Sequence, residues 1–315
     1  MPADVEYYFS RYGDLELQRR MVADRRRTDA FAKAIRAVVK PEDVVLDVGT
    51  GTGILAMLAA RAGARQVYAI DQADIAKTAA NLVKANGLTD RVKVLQGPAA
   101  ELELPEKANV LVSEWLGHLA FVEGMLDDVL VARDNNLAEG GRMLPSRVAL
   151  QLAPVDDPVL YGHDGPGFWR TPVHGLDMSS LEDKELEQGR VQQLRVEPAA
   201  RLADPATLVA LDLATASADD PFVEDTVRYT VMRDGVLSGF VGSFVATLAE
   251  GVVLDTSSDF AETHWSQSYF AFAPRPVREG EELVLHFRLA RDEDEPRHLR
   301  VDLTVGDRTL AYVAE

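Results

Sequence analysis

The sequence predicts an α/β domain with a mainly parallel sheet, followed by an antiparallel β domain. Three observations carry this. Between residues 41 and 145 short apolar runs alternate with stretches of helical periodicity, the pattern of strands joined by crossover helices. Beyond Pro145 the apolar residues recur at period two, and Asp234-Gly235, Glu279-Gly280 and Gly306-Asp307 supply turn signals between several of the runs. The 315-residue length exceeds one average domain, so two units are expected.

In chain order, residues 5–38 read as helix, with Tyr7, Tyr8, Phe9 and Tyr12 at the front. Met21, Asp24, Arg27 and Thr28 fall at helical spacings that put them on one face, although Asp24 and Arg27 also make an ordinary exposed pair. Pro41 ends this segment. Residues 44–48 form an apolar strand, then come Gly49, Gly51 and Gly53 and a helix over 54–61. The next strand, 67–70, ends at Asp71, and a helix over 75–86 is closed by Gly87. Strands 92–96 and 109–112 follow, then a charged loop and a helix to 135, with Gly140, Gly141 and Pro145 marking a boundary.

The second unit reads as strands at 147–155, 208–213, 225–232, 236–248, 268–272, 282–289, 299–304 and 309–313, a sandwich or barrel. Residues 156–205 interrupt it with Trp169, Met178, Leu181, Leu186 and Leu194 among many charges. Half-apolar arms of this kind complete a partner subunit or stand as surface excursions. The expected division is therefore 1–40, an N-terminal helical segment; 41–145, the α/β domain; and 146–315, the β domain with its arm at about 156–205.

Composition narrows the chemistry. Zero cysteines exclude disulfides, thiolate zinc sites and a cysteine nucleophile, and the six scattered histidines lack ligand spacing, so no metal is expected. No run of about 18 apolar residues and no basic-then-apolar start exist, which points to a soluble, cytoplasmic protein away from membranes. Net charge is −18 and uneven: residues 1–145 hold 18 basic and 21 acidic groups, residues 146–315 hold 15 and 30. That field disfavours nucleic acid and attracts basic, arginine-containing partners, or it is simply a solubility surface.

Two motifs carry chemistry. The turn Gly49-Thr-Gly51-Thr-Gly53 between a strand and a helix lets a ligand reach backbone N–H groups, and Asp71, about 20 residues on, can accept from two ribose hydroxyls. Its spacing is not that of a dinucleotide loop, and no Lys-Ser/Thr follows for a triphosphate. Asp47 before the turn suits an ammonium group. S-adenosylmethionine, with adenosine, a sulfonium and an amino acid tail, fits; a turn without a ligand fits the same letters.

The second motif is the stretch 110–126, which carries Glu114 and Glu123 into apolar surroundings. On a straight helix the two would point apart. If the chain folds back at Gly117 they face one another and suit a planar arginine guanidinium. The plainer reading has Glu114 capping a turn and Glu123 opening the next helix. Thr263-His264-Trp265 stands apart within the β domain, and a lone histidine there is more often structural.

Together these pieces resemble the protein arginine methyltransferase family over nearly the whole chain. Tyr8-Phe9 with Tyr12, the face Met21-Asp24-Arg27-Thr28, the Asp47 to Gly53 loop, Ser113-Glu114-Trp115 with Glu123-Gly124-Met125, and Thr263-His264-Trp265 occur in the family's order. The resemblance implies a Rossmann-like methyltransferase domain, an antiparallel β-barrel domain with an inserted helical dimerisation arm, and an N-terminal segment closing over the cofactor. It implies S-adenosylmethionine held by Asp47, Gly49, Gly51 and Asp71, with Arg27 on the cofactor's carboxylate. Glu114 and Glu123 would grip the substrate guanidinium, and Asp24 would pair with His264. Met21, Met125, Tyr12 and Trp265 would line the substrate pocket, the methionines favouring asymmetric dimethylation. A homodimer acting on arginine in a protein or peptide is implied, with a free guanidino small molecule or a silent binding module as alternatives. Ala100 departs from the family's usual acidic residue, Gln18 from a histidine, and His118 and Val122 from tyrosines.

Overall fold

The computed structural model describes residues 14–315, so Tyr12 and the aromatic front lie outside the described residues. The expected single helix over 5–38 is broken. Helices α1 (Leu15–Ala23) and α2 (Arg25–Val38) flank Asp24, whose backbone is extended at ψ 96°. Asp24 ends α1, and its carboxylate accepts from the Arg27 amide at 3.0 Å to cap α2. A short acidic side chain that captures a backbone N–H three residues on competes with helix continuation, which is why the periodicity across 21–28 does not become one helix. The residues of that stretch meet across the break instead, Thr28 Oγ1 donating to Val22 O and Arg27 Nη1 to Met21 O, both at 3.3 Å.

Strands β1 (Val44–Val48), β2 (Gln66–Asp71), β3 (Val92–Gln96), β4 (Ala108–Ser113) and β5 (Leu137–Leu144) form one parallel sheet in the order β3-β2-β1-β4-β5. Helices α3 (Ile54–Arg61), α4 (Ile75–Ala85) and α5 (Met125–Asn136) make the crossovers. All five residues of β1 are buried, as expected for a central strand covered on both faces. The order reverses between β1 and β4, so a crevice opens beyond their carboxyl ends, the usual ligand position in such a sheet. Both sequence motifs lie there: the glycine turn follows β1 and the two-glutamate stretch follows β4. Gly140 and Gly141, expected to mark a boundary, lie inside β5, where a register shift opposite Ala108 and Val110 absorbs them.

The second half holds two antiparallel sheets. Strands β6 (Arg147–Val155), β7 (Val191–Leu194), β8 (Ala206–Asp212), β10 (Gly235–Ala249), β11 (Val252–Asp255) and β12 (Gln267–Val277) form the first. The second runs β15-β14-β13-β9, from β9 (Glu224–Thr230), β13 (Glu282–Arg291), β14 (Leu299–Val305) and β15 (Arg308–Ala314). Tyrosines tie the sheets over a shared core, Tyr229 Oη donating to Leu152 O at 2.8 Å and Tyr312 Oη to Ala271 O at 2.6 Å. Helix α6 (Leu181–Glu187) belongs to the insertion. Within residues 156–205, β7 pairs with β12, and Arg201 returns to bridge Val155. No helix among the described residues is long and apolar enough to cross a membrane.

Candidate active site

A cavity of about 590 Å³ opens at the carboxyl ends of β1 and β4. Its first wall is the glycine turn. Gly49 and Thr50 amides donate to Ile70 O at 2.9 and 3.0 Å, and the Gly51 amide donates to Asp71 Oδ2 at 2.8 Å. Asp71 Oδ1 accepts from Ala73 N at 2.9 Å, and burial raises the pKa of this carboxyl. At two points the backbone is left-handed, φ 69° at Gly49 and 53° at Gly51, which disfavours a side chain, and a Cβ there would also have to displace the end of a neighbouring one. A Cβ on Gly49 would lie 2.1 Å from Met125 Cε, and one on Gly51 would lie 2.8 Å from Gln18 Oε1.

Asp47 stands behind that turn and does not line the cavity. Fully buried, it accepts from Thr50 Oγ1 at 2.6 Å and from Ala56 N at 3.0 Å, both at Oδ2. Its Oδ1 has no partner among the described residues. Burial pushes its pKa up to about 7 against the lowering effect of those two bonds, with Asp71 adding a smaller upward push.

The second wall follows β4, whose end is pinned to β1 by Ser113 Oγ donating to Val48 O at 2.7 Å. Glu114 comes next. Arg27 reaches it from α2, Nε donating to Oε2 at 2.7 Å and Nη2 lying 2.6 Å from the same oxygen, while Leu116 N donates to Oε1 at 3.0 Å. Arg27, which the family resemblance implies on a cofactor carboxylate, lines the cavity and also pairs with Glu114. The chain folds back where Gly117 and Ala120 exchange backbone bonds. Gly117 is required there for space rather than for φ, since a Cβ would sit 2.0 Å from Val122 Cγ2. The unusual φ values belong to Ala120, at 60°, and Glu123, at 81°. Glu123 N donates to Arg297 O at 2.7 Å, and Gly124 then caps α5.

A third wall comes from the β domain. Trp265 Nε1 donates to Leu116 O at 2.6 Å, and His264 lies against the Trp265 ring. Asp24 Oδ2 accepts from the His264 amide at 2.9 Å and from its Nδ1 at 2.8 Å. Burial alone would raise the Asp24 pKa; the His264 bonds and the Arg27 amide together hold it at about 2. His118, inside the fold-back, places Nε2 3.0 Å from Glu315 O and Nδ1 2.7 Å from Ser268 Oγ. A carbonyl can only accept, so Nε2 carries the proton and Nδ1 accepts from the serine, in keeping with a pKa lowered by burial.

Of the residues singled out in the sequence, Arg27, Gly49, Gly51, Asp71, Glu114 and Glu123 line this one cavity, as do Met21, Met125, His264 and Trp265. Asp24 and Asp47 brace it from behind. Glu295, Arg297 and His298, from the turn between β13 and β14, also line it and were not singled out. The available signal was a Pro296 flanked by charges in a hairpin turn, where solvated charge is the ordinary expectation.

Residues 147–306 match the model of the arginine methyltransferase oligomerization subdomain, and residues 26–146 match that of ribosomal protein L11 methyltransferase (PrmA). The chain is 34% identical over 315 residues to protein arginine N-methyltransferase 6 of Danio rerio, covering 96% of this chain and 90% of that one. It is 34% identical over 271 residues to protein arginine N-methyltransferase 1 of Chlamydomonas reinhardtii, covering 84% and 77%. Among solved structures it resembles the Trypanosoma brucei PRMT1 enzyme-prozyme heterotetrameric complex with AdoHcy, at TM-score 0.88 and 28% identity over 96% of this chain and 99% of that one. Arabidopsis thaliana protein arginine methyltransferase 10 superposes with TM-score 0.86 and 30% identity over 98% and 100%.

Proposed function

Because this chain belongs to the protein arginine N-methyltransferase family, we infer that the cavity between the glycine turn and the two-glutamate loop carries its reaction. The chain is an enzyme that uses S-adenosylmethionine to methylate guanidino nitrogens of arginine in a protein or peptide. The residues fit that cofactor: a turn stripped of side chains at Gly49 and Gly51, the Asp71 carboxylate at the cavity wall, and the unpartnered buried Oδ1 of Asp47 behind it. Asp71 would accept from ribose hydroxyls, Gly49 and Gly51 would admit the ligand to the backbone, and Asp47 would counter its ammonium through the turn. When bound, S-adenosylmethionine supplies an electrophilic methyl group on a sulfonium.

The acceptor is itself a cation, so bringing it to a second cation in a dry cavity is repulsive. Two carboxylates offset this. Glu114 reaches the cavity already half-neutralised by Arg27, and Glu123 is clamped by its backbone. The pair is unequal, and unequal acceptors localise guanidinium charge away from one terminal nitrogen, leaving its lone pair available. The proton that nitrogen must lose goes to a glutamate or through His264. Asp24 holds His264, and with it Trp265, against the fold-back. Met21 and Met125 crowd the acceptor and set the number of methyls added.

A homodimer formed through the insertion belongs to the same reading, supported by the oligomerization subdomain match and by Val159 and Leu176, 72% and 67% exposed on that insertion. So do a basic, arginine-containing substrate, which the acidic second half would attract, and a cytoplasmic location.

The observation that carries this reading is the presence of Glu114 and Glu123 in one cavity with the glycine turn and Asp71. Glu123→Gln is expected to abolish methyl transfer to an arginine peptide while S-adenosylhomocysteine still binds in calorimetry. Turnover at the unaltered rate would remove the mechanism.

A further inference from the structure

Glu123 holds a backbone conformation that side chains other than glycine seldom adopt, and something must impose it. Its φ is 81°, in the left-handed region, and the next residue, Gly124, is left-handed too at 66°. Strain of this kind persists only where the surroundings over-determine it. Among the described residues the loop's own backbone bonds stop short of it, the Gly117 and Ala120 exchange being followed only by Phe121 N donating to Leu119 O at 2.6 Å.

One restraint comes from the other domain. The Glu123 amide donates to the carbonyl of Arg297 at 2.7 Å, a short bond that fixes the plane of the peptide entering Glu123. The Arg297 stem then closes over the following residue, so that a Cβ on Gly124 would lie 3.2 Å from Arg297 Cγ and 3.6 Å from its Cα. Arg297 sits in the turn between β13 and β14, and this turn is itself tied down. His298 N donates to Glu295 O at 2.8 Å, Asp292 N to His298 O at 3.1 Å, and Asp292 Oδ1 accepts from Asp294 and Glu295 amides. At the base of the hairpin, Arg291 pairs with Asp127 of α5 at 2.9 Å and stacks over Phe222. One side of the turn therefore grips the helix that follows Glu123, and the other grips Glu123 itself.

We propose that Arg297 is a positioning residue for the reaction: from the tip of the β13–β14 hairpin it locks Glu123 in the left-handed conformation that aims its carboxylate into the cavity. The β domain thereby sets the geometry of an acid carried by the α/β domain. This rests on the reading of Glu123 as a guanidinium-gripping residue, which the Glu123→Gln variant tests independently of Arg297.

The test compares Arg297→Ala, Arg297→Lys and Glu123→Asp with the double variant Glu123→Asp/Arg297→Ala. Arg297→Ala keeps the backbone carbonyl that accepts from Glu123 but removes the stem beyond Cβ that closes over Gly124, so the clamp loosens, and a misplacement of about 1 Å lowers kcat/KM for an arginine peptide by roughly 10- to 100-fold. S-adenosylhomocysteine affinity by calorimetry is expected to stay within about twofold, because the glycine turn is untouched. Arg297→Lys keeps the stem and is expected to restore most of the activity. In the Glu123→Asp background Arg297→Ala is expected to cost little more, since residues acting as a unit are not additive. Unaltered activity in Arg297→Ala, loss of S-adenosylhomocysteine binding in that variant, or full additivity in the double variant would each overturn the proposal.

Discussion

Arg27 and Glu114, 87 residues apart, form a buried ion pair in which Arg27 Nη2 stands 2.6 Å from Glu114 Oε2 and the side chains are 7% and 6% exposed. At that burial the rules for solvated pairs do not apply. Removing the cation strands a carboxylate in the protein interior, which costs about 3–5 kcal/mol. Arg27→Met is therefore expected to lower unfolding free energy in urea by about that amount. Arg27→Lys should cost less, because charge is kept while the paired Nε and Nη2 donors are lost. A wild-type midpoint for Arg27→Met would show that the pair contributes nothing.

Asp24 ties the first helices to the β domain through His264, and its pH dependence has a definite sign. Its folded pKa, about 2, lies below the ordinary 3.8, so the folded state binds fewer protons than the unfolded chain between those values. The stabilisation is present above 3.8 and is lost as pH falls toward 2. Asp24→Asn keeps an oxygen for the α2 cap but not the charge. The variant's deficit relative to wild type should be largest near neutrality and shrink as pH falls through that window, read from urea midpoints at several pH values. A deficit that does not vary with pH would mean the charge plays no part.

Asp47 carries the opposite sign. Its folded pKa, raised to about 7, makes the folded state bind more protons than the unfolded chain from 3.8 to 7. Its contribution is therefore present below 3.8 and is lost as pH rises through 7. Without ligand, Asp47→Asn should flatten the decline of stability over that range, measured by the same titration. Identical slopes in the two proteins would contradict a buried, protonatable Asp47.

Much of this site was legible in the sequence because it is local. The glycine turn, Asp71 and the bounds of β1 and β3 follow from short-range pattern, and the structure gives strands over the residues expected. What was not legible depends on closure between distant segments. The Asp24 cap on the Arg27 amide is local, but the His264 that holds the other carboxylate oxygen lies 240 residues away and leaves no mark in the letters around Asp24. Strand β7 exists because β12 is there to pair with it, and four residues of mixed character carry no period of their own. Gly117 looked like a flexible pivot, whereas Val122 makes it a matter of space and the unusual backbone falls on Ala120 and Glu123 instead.

Glu123 also separates stability from function. A left-handed backbone costs a residue with a Cβ roughly 1–2 kcal/mol relative to glycine, offset in part by the larger entropy glycine loses on folding. Glu123→Gly and Glu123→Ala both delete the carboxylate, and both should be inactive on an arginine peptide. They differ only in backbone tolerance, so the glycine variant is expected to be the more stable of the two by about 0.5–1 kcal/mol in urea denaturation. A glycine variant no more stable than the alanine one would mean that φ at Glu123 relaxes without cost, and the clamp from Arg297 would then have nothing to hold against.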